Sequence, residues 1–348
     1  MTSRAMPSRS EHSGPFRVGD RVQLTGPKGR RHTITLEPGG IFHSHRGLIE
    51  HNNLLGCPDG SVITNQAGVP YLALRPLLSD FVMSMPRGAA IVYPKDAAQI
   101  LVQADIFPGA TVVEAGVGSG ALSLWLLRAI GASGHLYSFE RRDDFAAIAR
   151  GNIATFHGFE PPHFTLTVGE LGEALPATVA AASVDRVVLD MLAPWECLPA
   201  VSTALRAGGI VLCYIATATQ LSRVTEAIRA TGRYTEPQAS ETMVRGWHVQ
   251  GLAVRPDHRM IAHTGFLLTA RLLSPGTILP EKKLKLSKSD YNDEDVEMWT
   301  PGALGERVVS DKNIRRRARR AGASASAAAT EGGTDSGPAR GIRDERNR

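Results

Sequence analysis

With 348 residues, 43% of them hydrophobic and 21% charged, the chain has room for a full α/β domain plus a smaller companion, and no apolar run reaches membrane-spanning length. Three widely spaced cysteines, Cys57, Cys197 and Cys213, suggest neither a disulfide framework nor a zinc site and fit a reducing cytoplasm. The formal charge is +5, but residues 275–348 carry about 15 Lys/Arg against about 12 Asp/Glu, so any nucleic-acid surface on the rest has to be a local patch.

Residues 1–13 are polar and read as a disordered leader without a signal region. Residues 14–75 are turn-rich and β-like: Val18 to Leu24 and His32 to Leu36 flank the basic turn Pro27-Lys28-Gly29, and further short strands follow. This predicts a small β-barrel-like module whose charges are mostly basic: Arg17, Arg21, Lys28, Arg30, Arg31 and Arg46. Such a set is either a solvated surface or an RNA-facing patch. His43, His45 and His51 have no ligand-like companions, so no metal is expected. Residues 76–108 form a connector, with a short helix at Leu77 to Met83, a break at Met85-Pro86-Arg87-Gly88, and a second helix over Ala97 to Ala104. The intervening Tyr93-Pro94-Lys95-Asp96 is either a base-facing lid or a helix start capped by Asp96.

The stretch Thr111-Val-Val-Glu114-Ala-Gly116-Val-Gly118-Ser119-Gly120 runs from a β-branched strand into a glycine loop and then a helix over Ala121 to Ala129. Strand, tight turn and helix place a nucleotide-sized ligand at the carboxyl edge of an open sheet. Gly116-x-Gly118-x-x-Ala121 fits a dinucleotide fingerprint, whereas Glu114-x-Gly-x-Gly-x-Gly fits S-adenosylmethionine (SAM). A carboxylate at Glu114 suits a ligand bearing an ammonium and a sulfonium, and it would repel a pyrophosphate. Glu140 closes the next strand at the spacing where an acid grips ribose hydroxyls, as either cofactor requires.

Strand and helix then alternate through residues 109–274. Two final strands near Thr242 to Val254 and Thr264 to Leu272 have no helix between them, which predicts an antiparallel pair. Five parallel strands closed by such a pair make the seven-stranded α/β sheet of a class I SAM methyltransferase, where a dehydrogenase would continue in parallel units. Glu114, Glu140, Glu170 and Asp190 all fall at strand ends, suiting the methionine, the ribose, the adenine and the methyl-transfer point in turn. The alternative for any one of them is a helix cap, which four in succession make a poor account. Met191 to Trp195 would line the acceptor pocket. Residues 275–348 read as a mostly disordered tail, with a docking segment at Met298-Trp299.

Together, Glu114 to Gly120, Tyr93-Pro-Lys-Asp-Ala-Ala-Gln99, Leu189-Asp-Met-Leu-Ala-Pro-Trp195 and His263-Thr-Gly-Phe-Leu267 resemble the prokaryotic tRNA adenine-N1 methyltransferases of the TrmI family. The resemblance spans residues 14–273. It implies methylation of adenine 58 in the tRNA T-loop by a homotetramer with an N-terminal β module. It assigns Ser119, Gly120, Ala121, Leu122, Glu140 and Glu170 to SAM, and the strand-glycine-helix pattern with its strand-end acids adds Glu114, Gly116, Gly118 and Asp190 as SAM-binding candidates. Asp190 falls between SAM and the target base, and Tyr93 joins it as a catalytic candidate. The competing readings are an NAD-dependent oxidoreductase and an RNA-binding relative without turnover.

Overall fold

A computed structural model describes residues 13–45 and 47–280. The leader, Arg46 and the segment around Met298-Trp299 lie outside the described residues.

The N-terminal strands are β1 (Arg21–Thr25), β2 (Arg31–Thr35), β3 (Ile41–Ser44), β4 (Gly47–Glu50), β5 (Ser61–Thr64) and β6 (Pro70–Leu74). Period-two alternation turns Val22 and Leu24 inward on β1 and Tyr71 and Ala73 inward on β6. With Phe16, Leu36, Ile49 and Leu54 they fill one core under an antiparallel sheet ordered β2-β1-β6-β5, and β3 and β4 form a separate hairpin. The expected β1–β2 hairpin is present, its turn carried by Gly29 at φ 72°.

Two helices follow, α1 (Leu78–Ser84) and α2 (Pro94–Gln103). The second starts earlier than its apolar spacing predicts, because Pro94 is well suited to a first helical position. Tyr93 is therefore the N-cap residue. Asp96 is not the cap; it sits within the first turn, fully buried.

The main sheet is built from β7 (Thr111–Ala115), α3 (Ala121–Ile130), β8 (His135–Glu140), α4 (Asp143–His157), β9 (Phe164–Val168), α5 (Leu171–Thr178), β10 (Val184–Leu189), α6 (Leu198–Ala204), β11 (Leu205–Ile215), α7 (Ala218–Ala230), β12 (Gln238–Glu241), β13 (Trp247–Gln250), β14 (Ala253–Pro256) and β15 (Phe266–Arg271). Its order is β12-β15-β11-β10-β7-β8-β9. β7 to β11 run parallel, and β15 lies antiparallel between β11 and β12. The central strands are apolar on both faces because helices cover both. Val112, Leu136 and Val188 face α1 to α4, while Val113, Val187 and Leu189 face α5 to α7.

One expectation needs correction. The strand placed near Thr242 to Val254 is not in the main sheet. That place belongs to β12, and residues 242–265 instead leave the sheet as the β13–β14 hairpin. β12 reads Gln-Ala-Ser-Glu and is exposed throughout, so an edge strand with no buried face left no hydrophobic alternation to find. The hairpin carries that alternation while remaining exposed.

Candidate active site at the glycine loop

Backbone hydrogen bonds bring three strand ends together. The Asp190 N–H donates to Ala115 O at 2.8 Å, and the Gly116 N–H donates to Phe139 O at 3.1 Å. Gly116 has φ 83°, and a Cβ there would lie 1.7 Å from the Asp190 carbonyl oxygen. Only glycine fits, so the sequence pattern has a direct steric cause. Gly120, at φ 79°, begins α3 and would bring a Cβ within 3.2 Å of Ala149 Cα, which sets how closely the loop approaches α4.

Three carboxylates surround this turn. Glu114 projects onto the α3 side, where its Oε2 accepts from Ser123 Oγ and Ser138 Oγ, each at 2.7 Å. Its Oε1 is buried with no partner. Burial pushes the Glu114 carboxyl up to about 7, against the two serine hydroxyls and with help from the Glu140 charge. Glu140 lies under the loop: Oε2 accepts from the Gly118 N–H at 2.9 Å and Oε1 from the Arg142 N–H at 3.0 Å. Each of its oxygens keeps a further lone pair for another donor. Asp190 keeps part of its surface accessible, yet burial, then Glu114, then Glu140 push it up to about 7 as well. A cluster of desolvated like charges is unfavourable by itself and favourable around a cation.

Glu170 stands apart. Its side chain is exposed and pairs with Arg141 at 3.6 Å. The helix-cap alternative fails for Asp190, since the 3-10 turn Pro194–Cys197 begins at Ala193 without a side-chain cap. It fails for Glu170 too, which precedes α5 without a side-chain cap bond.

The connector closes over the loop. Gly88 N–H donates to Ser119 Oγ at 3.0 Å, and Asn152 Nδ2 donates to Ser119 O at 2.8 Å and Pro86 O at 2.9 Å. On the other side, buried Gln220 on α7 donates through Nε2 to Leu192 O at 3.0 Å, and Arg223 lies 4.0 Å over the Trp195 ring. These hold residues 191–197 in place after Asp190. Sequence reasoning missed Ser123, Ser138, Asn152 and Gln220. The signal was a polar residue on the buried face of an otherwise apolar element. Among the described residues there is no cluster of three metal-ligating side chains, and no helix is long and apolar enough to cross a membrane.

A glycine loop between acid-tipped parallel strands, in a sheet closed by one antiparallel strand, defines a class I SAM-dependent methyltransferase. Family models agree: residues 14–63 match the TrmI-like N-terminal domain, and residues 72–264 match the tRNA methyltransferase complex GCD14 subunit. The chain belongs to this tRNA methyltransferase family. It is 33% identical to a tRNA (adenine(58)-N(1))-methyltransferase TrmI of Thermus thermophilus, over 74% of this chain and 96% of that one. It is 26% identical to the tRNA (adenine(57)-N(1)/adenine(58)-N(1))-methyltransferase TrmI of Methanocaldococcus jannaschii, over 66% and 88%. Among solved structures, a SAM-dependent O-methyltransferase from Thermotoga maritima superposes with a TM-score of 0.69 at 29% identity, covering 74% of this chain and 95% of that one. The tRNA (m1A58) methyltransferase TrmI from Aquifex aeolicus shares the fold, with a TM-score of 0.65 at 24% identity over 75% and 100%.

The residues fit SAM. The unpartnered Glu114 Oε1 and the raised Asp190 carboxyl suit a cationic guest, and the missing Cβ at Gly116 lets the Asp190 backbone close against the turn and bring its side chain beside the loop. The same carboxylates oppose a dinucleotide pyrophosphate, which removes the oxidoreductase alternative.

Proposed function

We propose that this chain transfers a methyl group from SAM to N1 of adenine 58 in the T-loop of tRNA. The observation that carries the cofactor is the gathering of Glu114, Glu140 and Asp190 around the glycine turn, and the tRNA methyltransferase family match supports adenine 58 as the acceptor. Glu114, Gly116, Gly118, Ser119, Gly120, Ala121, Leu122, Glu140 and Asp190 surround SAM, and Glu170 meets it only from the exposed rim, where it also pairs with Arg141; the free lone pairs of Glu140 suit ribose hydroxyls. SAM, when bound, supplies a methyl group on a positively charged sulfur.

Asp190 and Tyr93 act on the acceptor side. Adenine N1 carries its own lone pair, so no proton has to leave before attack. The ring becomes cationic as N1 is methylated, and the Asp190 carboxylate, accepting a hydrogen bond from the exocyclic amine, stabilises that charge. Tyr93, at the start of α2, provides a wall for the extruded base. Residues 109–274 carry the chemistry, and residues 14–75 add tRNA affinity through Arg17, Lys28 and Arg30, which are exposed.

The protein assembles as a cytoplasmic homotetramer. The support for assembly is the β13–β14 hairpin, where Trp247 is 61% and Leu252 104% exposed beside Val249 and Val254.

Incubation with methyl-labelled SAM and unmodified tRNA tests the function. Label is expected at adenine 58, and a tRNA carrying guanine there stays unlabelled. Label at another position, or SAM binding without transfer, overturns the reading; the second result would favour the relative without turnover.

A further inference from the structure

Lys95 and Asp96 have no part in the mechanism above, yet they are among the most enclosed charged groups in the described structure, with side chains 5% and 0% exposed. Lys95 Nζ donates to Asp96 Oδ1 at 2.7 Å, to Thr242 O at 2.7 Å and to Thr264 Oγ1 at 2.6 Å, which uses all three of its protons. Asp96 Oδ2 accepts from the Thr264 hydroxyl at 2.5 Å, and Tyr214 OH lies 3.4 Å away. Every polar atom in this group has a partner. A buried ion pair contributes little net stability against a hydrophobic replacement, so a closed network of this kind points to the geometry it imposes.

The partners show what that geometry is. Thr242 follows β12 directly and Thr264 lies just before β15, so they are the two roots of the excursion that carries the β13–β14 hairpin. Lys95 ties both roots to the first turn of α2, two residues from Tyr93. Tyr214 lies near the carboxyl end of β11 and packs so closely on Gly265 that a Cβ there would be 2.5 Å from its ring. Its phenol is held protonated by burial, with the charges of Asp96 and Asp190 adding to the effect. Leu189 pairs with Cys213 across β10 and β11, so Tyr214 follows the partner of the residue before Asp190, and the network joins the Tyr93 turn and the excursion roots to the strand beside Asp190.

We propose that Lys95, Asp96 and Thr264 form a positioning clamp, which locks the excursion roots and Tyr214 against the Tyr93 turn and so sets where the acceptor base meets Asp190. This rests on the methyl-transfer reading. None of the three residues touches the reacting atoms, and small misplacements at such a site lower turnover steeply.

The test compares Thr264→Val, which keeps the shape and removes the hydroxyl, with Thr264→Ser, which keeps the hydroxyl. Single-turnover methylation at saturating SAM and tRNA is measured well below the melting temperature of each variant, and SAM affinity is measured by calorimetry. Thr264→Val is expected to slow transfer by about tenfold to a hundredfold, with the SAM Kd within about twofold of wild type and Thr264→Ser restoring the rate. Lys95→Met is expected to slow transfer in the same direction. Thr264→Val transferring at the wild-type rate with only a lower melting temperature overturns the clamp and leaves the functional reading intact. Equal slowing in Thr264→Val and Thr264→Ser also overturns it, since shape and not the hydroxyl would then be at work. Wild-type protein that binds SAM but labels no tRNA overturns the methyl-transfer reading and the clamp with it.

Discussion

Glu114 and Asp190 have folded-state pKa values near 7, above the ordinary carboxylate range. Such groups contribute stability that is fully present below their unfolded pKa and lost as pH rises through the folded value. Glu114→Gln keeps the shape and cannot ionise, so its melting temperature relative to wild type should climb steadily between about pH 4.5 and 7.5. A parallel pair of pH curves would show that Glu114 bears no such burden. SAM, being cationic, favours the ionised carboxylates, so its affinity should increase from about pH 6 to 7.5 with proton release on binding. Calorimetry in buffers of different ionisation enthalpy reads that release directly. Asp190→Asn retains size and an acceptor oxygen but not the charge facing a cationic ring. Turnover should fall about 10²–10³-fold, by analogy with loss of one oxyanion-hole donor, and SAM affinity should change much less. Single-turnover kinetics showing near-normal transfer would remove Asp190 from catalysis.

At the scale of elements, the glycine turn depends on α3 being held in place. Leu124 is fully buried between the sheet and the connector helices, and Leu124→Ala should cost about 2–5 kcal/mol in denaturant unfolding. The N-terminal hairpin behaves differently. Arg21 is packed 4.1 Å over the Phe81 ring and lowered to about 10 by burial, and Arg31 pairs with Asp80 at 2.7 Å. Two arginines of the basic set thus join the module to α1, which leaves Lys28 and Arg30 as exposed charges of the hairpin turn. Reversing both to Glu should raise the KM for tRNA and flatten its salt dependence by about two counterions, with SAM affinity unaffected. An unchanged salt slope would locate the tRNA contact elsewhere.

For the whole molecule, the exposed apolar hairpin is the feature that a single chain leaves unexplained. Met243, Val244, Met260 and Ile261 extend its apolar surface toward the sheet. An exposed apolar patch of this kind marks an association surface. Trp247→Glu combined with Leu252→Glu should convert the proposed tetramer to smaller species in sedimentation while leaving the melting temperature of the subunit core nearly unchanged. A wild-type protein that sediments as a monomer would remove the assembly proposal.

Much of this architecture is written locally. Strand-glycine-helix at Thr111 to Ala129, the acids at Glu114, Glu140 and Asp190, and the alternation of elements follow from short-range rules of backbone freedom and hydrophobic period, so they could be read before any fold was known. Other features could not. Nothing near Glu114 in the chain says that it is buried between Ser123 and Ser138, because those partners are near only once β7, β8 and α3 have packed. Asp96 reads as an ordinary helix cap, and only its partners at Thr264 and Tyr214, more than a hundred residues away, make it part of a closed network. β12 lacked a signal because an edge strand with both faces exposed has no hydrophobic period. Period and turn chemistry act over a few residues and survive in the linear text, whereas desolvation, ion pairing and the fate of an exposed hairpin are set by whatever the folded chain brings alongside.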